Sequence, residues 1–62
     1  MTVNQIRAAT GWSQSQFANH FNMPVRTLQR WEIGQAEPRD YVIKMMHDLL
    51  VLQGIIPKQV GD

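Results

Sequence analysis

The chain has 62 residues, a formal net charge of +1, 44% hydrophobic residues and no cysteine. That length holds one domain near the lower limit for folding unaided, and without cysteine neither a disulfide framework nor a thiolate metal site is there to staple it. No basic start leading into an apolar run marks a secretory signal, and the longest apolar run, Leu49–Leu52, is far too short to span a bilayer, so a cytoplasmic protein is expected.

The first expected helix runs from Val3 to Thr10. Val3, Ile6 and Ala9 (or Thr10) share a face at helical spacing, Thr2 stands at the cap position, and Gly11 suits the left-handed residue past the end. The second helix starts after Ser13. Ser13 with Gln16 forms a capping box, and Trp12 with Phe17 forms a hydrophobic staple that fixes how the chain enters the helix. Phe17, Ala18 and Phe21 then give the buried stripe, with small Ala18 where another helix approaches closely.

Asn22-Met23-Pro24 reads as a tight turn, because Pro24 has no backbone N–H to continue a helix and suits the start of the next. The third helix is expected from Val25 to about Ile33, ended by Gly34. It buries Leu28 and one side of Trp31 and turns Val25, Arg26, Gln29 and Arg30 outwards. Between Ser13 and Trp31 the only full charges are Arg26 and Arg30, whereas Glu32, Glu37, Asp40 and Asp48 follow later. A short helix that carries Arg and Gln on its outer side, braced by another across a turn, has the form of a helix lying in a DNA major groove. Arg30 pairs bidentately with guanine in such a setting, Gln29 with adenine, and Val25 meets a thymine methyl; Arg26 serves a base or a phosphate.

The last helix is expected from Pro38 or Arg39 to about Gln53. Tyr41, Met45, Leu49 and Leu52 lie on one face, while Val42, Ile43, Met46, Leu50 and Val51 extend apolar surface well round the helix. One stripe suffices for a small core. The surplus marks Val42, Ile43, Met46, Leu50 and Val51 as the interface of a homodimer, unless Ile55, Ile56 and Val60 fold back over it. Residues 54–62 form a short tail after a domain at 1–53. His20 and His47 lie on different helices with no clustered partner, so no metal and no cofactor are expected. His20 is expected near the DNA backbone.

The runs Thr10–Ala18 and Pro24–Gly34, followed by Pro38, resemble the lambda-repressor-like, or Cro/repressor (XRE), helix-turn-helix domain. The resemblance covers residues 3–50, and its Gln-plus-Ala and Trp-Glu-x-Gly signatures stand together at family spacing. It implies an all-α, compact four- to five-helix bundle with the helix-turn-helix at helices two and three. It implies base reading by Val25, Arg26, Gln29 and Arg30. Phosphate contacts fall to Ser13, Gln14, Thr27 and Arg39, and Arg7 with Glu32 form an ion pair between the first and third helices. Asn22 replaces the usual turn glycine and Pro24 the usual hydroxyl cap of the third helix.

The function so implied is sequence-specific binding of double-stranded DNA, at an inverted-repeat operator, by a dimeric prokaryotic or phage repressor. A DNA-binding antitoxin with a toxin partner and a protein-interaction adaptor on the same fold are the alternatives. No paired carboxylates, activated nucleophile or phosphate loop points to an enzyme.

Overall fold

A computed structural model of the chain describes residues 1–58. Among these residues there are four helices and no strand: α1 (Val3–Thr10), α2 (Gln14–His20), α3 (Val25–Glu32) and α4 (Asp40–Leu52). Local sequence explains each boundary. Thr2 and Ser13 cap α1 and α2 with complete capping boxes, the partner of Thr2 being Gln5. At the second box, Gln16 N–H donates to Ser13 Oγ at 3.2 Å and Ser13 N–H to Gln16 Oε1 at 2.9 Å.

The turn between α2 and α3 follows from Asn22, the one non-glycine with positive φ (56°) among the described residues. Asn tolerates this left-handed conformation better than most residues, so the usual glycine is dispensable here. The reversal is closed by Met23 N–H donating to Ala18 O at 2.9 Å and Asn22 N–H to Asn19 O at 3.1 Å. Pro24 then opens α3 without any side-chain cap.

Val3 and Ile6 of α1, Phe17 and Ala18 of α2, Leu28 of α3, Met46 and Leu50 of α4, and Ile56 form the core. Trp12, Phe21, Met23 and Trp31 pack around it. The core therefore reaches beyond 53, the boundary expected for the domain. At Gly54 (φ 74°) the chain turns left-handed, and Ile55 N–H donates to Leu50 O at 2.9 Å, which swings Ile56 back into the apolar centre. Val60 lies outside the described residues.

The two faces of α4 are the reverse of the expectation. Met46 and Leu50 are 7% and 0% exposed, and Val42, Ile43 and Val51 are half-buried against the same core. Met46 and Leu50, expected at a dimer interface, are therefore enclosed within the chain's own core, and Val42, Ile43 and Val51 are spent in part on it. Tyr41, Met45, Leu49 and Leu52 are the ones left outside, at 62%, 55%, 43% and 83% exposure. The cause is plain in the sequence: apolar residues run almost round α4, so periodicity alone does not say which stripe meets the core.

Candidate nucleic-acid interface

The outer face of α3 is set by what its inner face buries. Leu28 is fully enclosed and Trp31 half-buried, so Val25, Arg26, Gln29 and Arg30 all stand exposed on the opposite side. Pro24, Val25, Arg26, Thr27 and Gln29 border a shallow depression at the start of this helix. Thr27 is half-buried there, its N–H bonded to Pro24 O at 3.0 Å.

A polar chain crosses beneath this face. Arg7 of α1 donates from Nε to Glu32 Oε2 at 2.6 Å and from Nη2 to Glu32 Oε1 at 3.1 Å, a two-pronged grip on the last residue of α3. A third Arg7 donor, Nη1, reaches Trp12 O at 3.0 Å and ties down the segment before α2. Glu32 Oε1 also accepts from Gln14 Nε2 at 3.0 Å, and Gln14 Oε1 in turn accepts from Gln29 Nε2 at 3.4 Å. Three helices are thereby linked through one carboxylate.

The electrostatics follow from that linkage. Burial alone would push the Glu32 carboxyl up, but the hydrogen bonds from Arg7 and Gln14 and the Arg7 charge outweigh it and hold it below the ordinary glutamate range. The hydrogen bond to Glu32 raises Arg7 above its usual value against the opposing effect of burial. Glu32 is thus neutralised by Arg7. Among the described residues Arg26, Arg30 and Arg39 take part in no ion pair, so the charge on the outer face of α3 is uncompensated and positive.

The remaining expected phosphate residues are placed as follows. Ser13 has its backbone N–H and one hydroxyl lone pair occupied by Gln16, leaving the hydroxyl hydrogen to donate. Gln14 has one amide hydrogen on Glu32 and a second left over. Arg39 is exposed and stands as the N-cap residue of α4. His20 is held by Gln53 at 2.8 Å and lies against the rings of Trp12 and Phe21, with centroids 4.8 and 5.0 Å away. That contact with the end of α4, invisible in the sequence, accounts for His20 without DNA. His47 is half-buried beside Asp48. No cluster of three or more His, Cys, Asp or Glu able to hold a metal occurs among the described residues.

A family model described as helix-turn-helix matches residues 3–50 of the chain. No curated protein and no solved structure gives a significant match.

Proposed function

The chain belongs to the Cro/repressor (XRE) type of helix-turn-helix domain, a family of DNA-binding regulators rather than enzymes, and we propose that it acts as a dimeric repressor reading an inverted repeat in the cytoplasm of a bacterial or phage-infected cell. The observation that carries the reading is the outward, uncompensated face of α3, with Val25, Arg26, Gln29 and Arg30 exposed above the Arg7–Glu32 brace. In this reading Arg30 and Gln29 contact base edges, Val25 a thymine methyl, and Arg26 a base or the backbone. Ser13, Gln14, Thr27 and Arg39 contact phosphates, which set register and most of the salt-dependent affinity.

The second copy docks on the exposed α4 stripe of Tyr41, Met45, Leu49 and Leu52 in place of the buried one. Lys44 and Asp48, 3.5 Å apart, flank that stripe on one side. An antiparallel pairing of two α4 helices centred near residue 46 sets each Lys44 opposite the partner's Asp48, so the surface is complementary to itself. A dimer reading an inverted repeat needs its two recognition helices about 34 Å apart, one turn of the duplex. Occupancy of the operator by such a dimer excludes polymerase.

Equilibrium binding to a mixed-sequence duplex pool across a salt series tests the reading. Affinity that falls steeply as salt rises supports it, and absence of binding at low salt refutes it. A toxin partner is the second reading, favoured by the same exposed stripe; a chain that sediments as a monomer yet forms a stoichiometric complex with a neighbouring gene product would replace the homodimer.

A further inference from the structure

We infer that His20 is a positioning residue: through one hydrogen bond to Gln53 it sets the angle between the recognition helix and α4, and so aligns the two DNA-reading faces of a dimer. The inference rests on the dimer reading above and adds to it what holds those faces in register.

Two parts of the chain meet at this bond. Residues 1–38 carry the helix-turn-helix, and residues 39–58 carry α4 with its exposed stripe. Met46, Leu50 and Ile56 join the two parts through the apolar core. Apolar burial has no preferred direction and methionine adapts to several fits, so packing alone leaves α4 room to tilt. Among the described residues a single hydrogen bond crosses between the parts, and no ion pair does. In it His20 Nε2 donates to Gln53 Oε1 at 2.8 Å.

The bond lies where leverage is greatest. Gln53 is the cap residue at the end of α4, a helix of 13 residues and about 20 Å. A shift of about 2 Å at that end tilts such a helix by about 6°. His20, the last residue of α2, is itself held: its ring lies 4.8 Å from that of Trp12 and 5.0 Å, edge-on, from that of Phe21. Trp12 O accepts from Arg7 Nη1 at 3.0 Å, and Arg7 Nε grips Glu32 Oε2 at 2.6 Å at the end of α3. An unbroken run of contacts therefore joins the end of the recognition helix to the end of α4. Both His20 and Gln53 are exposed, so the bond competes with water and biases the angle without locking it. A dimer gains from its second half-site only in the fraction whose two faces are already aligned, and the bias enlarges that fraction.

The test compares the parent with Gln53→Met, which keeps the length of the side chain and removes its acceptor, and with Gln53→Glu, which keeps an acceptor. Two probes are used: the inverted-repeat duplex that the parent enriches from a random library, and the same duplex with one half-site scrambled. The preference for the intact duplex is expected to fall about three- to tenfold in Gln53→Met and to persist in Gln53→Glu, with affinity for the scrambled duplex and dimer sedimentation unchanged. A merely structural bond would lower the melting temperature and leave that ratio alone. An unchanged ratio in Gln53→Met, or an equal fall in Gln53→Glu, overturns the inference. So does a Gln53→Met variant that sediments as a monomer, which would make Gln53 part of the interface itself. A parent that sediments as a monomer, or enriches no repeat, refutes the dimer reading and the inference with it. Nuclear magnetic resonance of the free parent gives a readout that needs neither a variant nor DNA. A through-space contact between the His20 ring and the Gln53 side-chain amide supports the inference, and its absence overturns it.

Discussion

Arg7 and Glu32 meet through two hydrogen bonds, 2.6 and 3.1 Å long, that join the start of the domain to the last residue of its recognition helix. Twenty-five residues separate the two in sequence, and the Glu32 side chain is only 7% exposed. The pair is thus a long-range brace in a domain whose three shortest helices have seven or eight residues each. Helices that short are not stable alone, so their orientation depends on such contacts and on the core.

Replacing Glu32 by Ala leaves the Arg7 guanidinium without its carboxylate partner, with only Trp12 O as acceptor, and frees the Gln14 amide. Thermal unfolding of Glu32→Ala is expected to show a loss of about 1–3 kcal/mol, appearing before any change in sequence preference. A variant that melts with the parent would show that the brace carries no stability.

The same pair gives the domain an acid limit. The folded-state pKa of Glu32 lies below its ordinary value, so its contribution is complete above the unfolded value of about 4.3 and is lost as pH falls through the folded one. The stability gap between the parent and Glu32→Gln is expected to be constant near neutrality and to narrow below about pH 4. A gap independent of pH in denaturant titrations from neutrality downwards would contradict the sign of this shift.

The two faces of α4 respond differently to substitution. Leu50→Ala removes a fully buried side chain and is expected to destabilise the protomer by about 2–5 kcal/mol. Leu49→Glu, one residue away on the exposed stripe, is expected to leave the thermal midpoint at low concentration unchanged while abolishing the dimer in sedimentation. Loss of folding in Leu49→Glu, or a dimer that survives it, would move the interface elsewhere.

Ile56 tests where the domain ends. Ile56→Ala is expected to cost about 2–4 kcal/mol, because the residue is buried in the same cluster as Phe17 and Leu50. Unchanged chemical denaturation would mean that the segment after α4 contributes nothing to the core.

Arg30 and Arg39 separate base reading from phosphate attraction. Arg30→Ala is expected to relax selection at one base pair by about 1–3 kcal/mol, whereas Arg39→Ala weakens all sequences alike and lowers the salt slope by about one. Competition binding with matched and single-mismatch duplexes distinguishes them.

The helix starts were legible because they are local. Ser13 with Gln16 lies within one turn, and the Thr2 cap is completed by Gln5 at the same spacing. The turn at Asn22 and the stop at Gly34 were legible for the same reason. The orientation of α4 was not, because its apolar residues nearly encircle it and only packing against the other helices, in one cluster with Ile6, Phe17 and Leu28, decides which are buried. The Gln14 bonds to Glu32 and Gln29 span 18 and 15 residues and pass between helices, so no spacing rule announces them. The Arg7–Glu32 pairing came from family resemblance, since nothing in the charge pattern selects Glu32 from the four other acids.

Selection from a random duplex library at physiological salt, with Gln29→Ala/Arg30→Ala in parallel, tests most directly whether the outer face of α3 reads sequence in double-stranded DNA. The parent is expected to enrich an inverted repeat with half-sites about one helical turn apart, and the double variant to enrich none. Equal enrichment by parent and variant, or none by the parent, would contradict it.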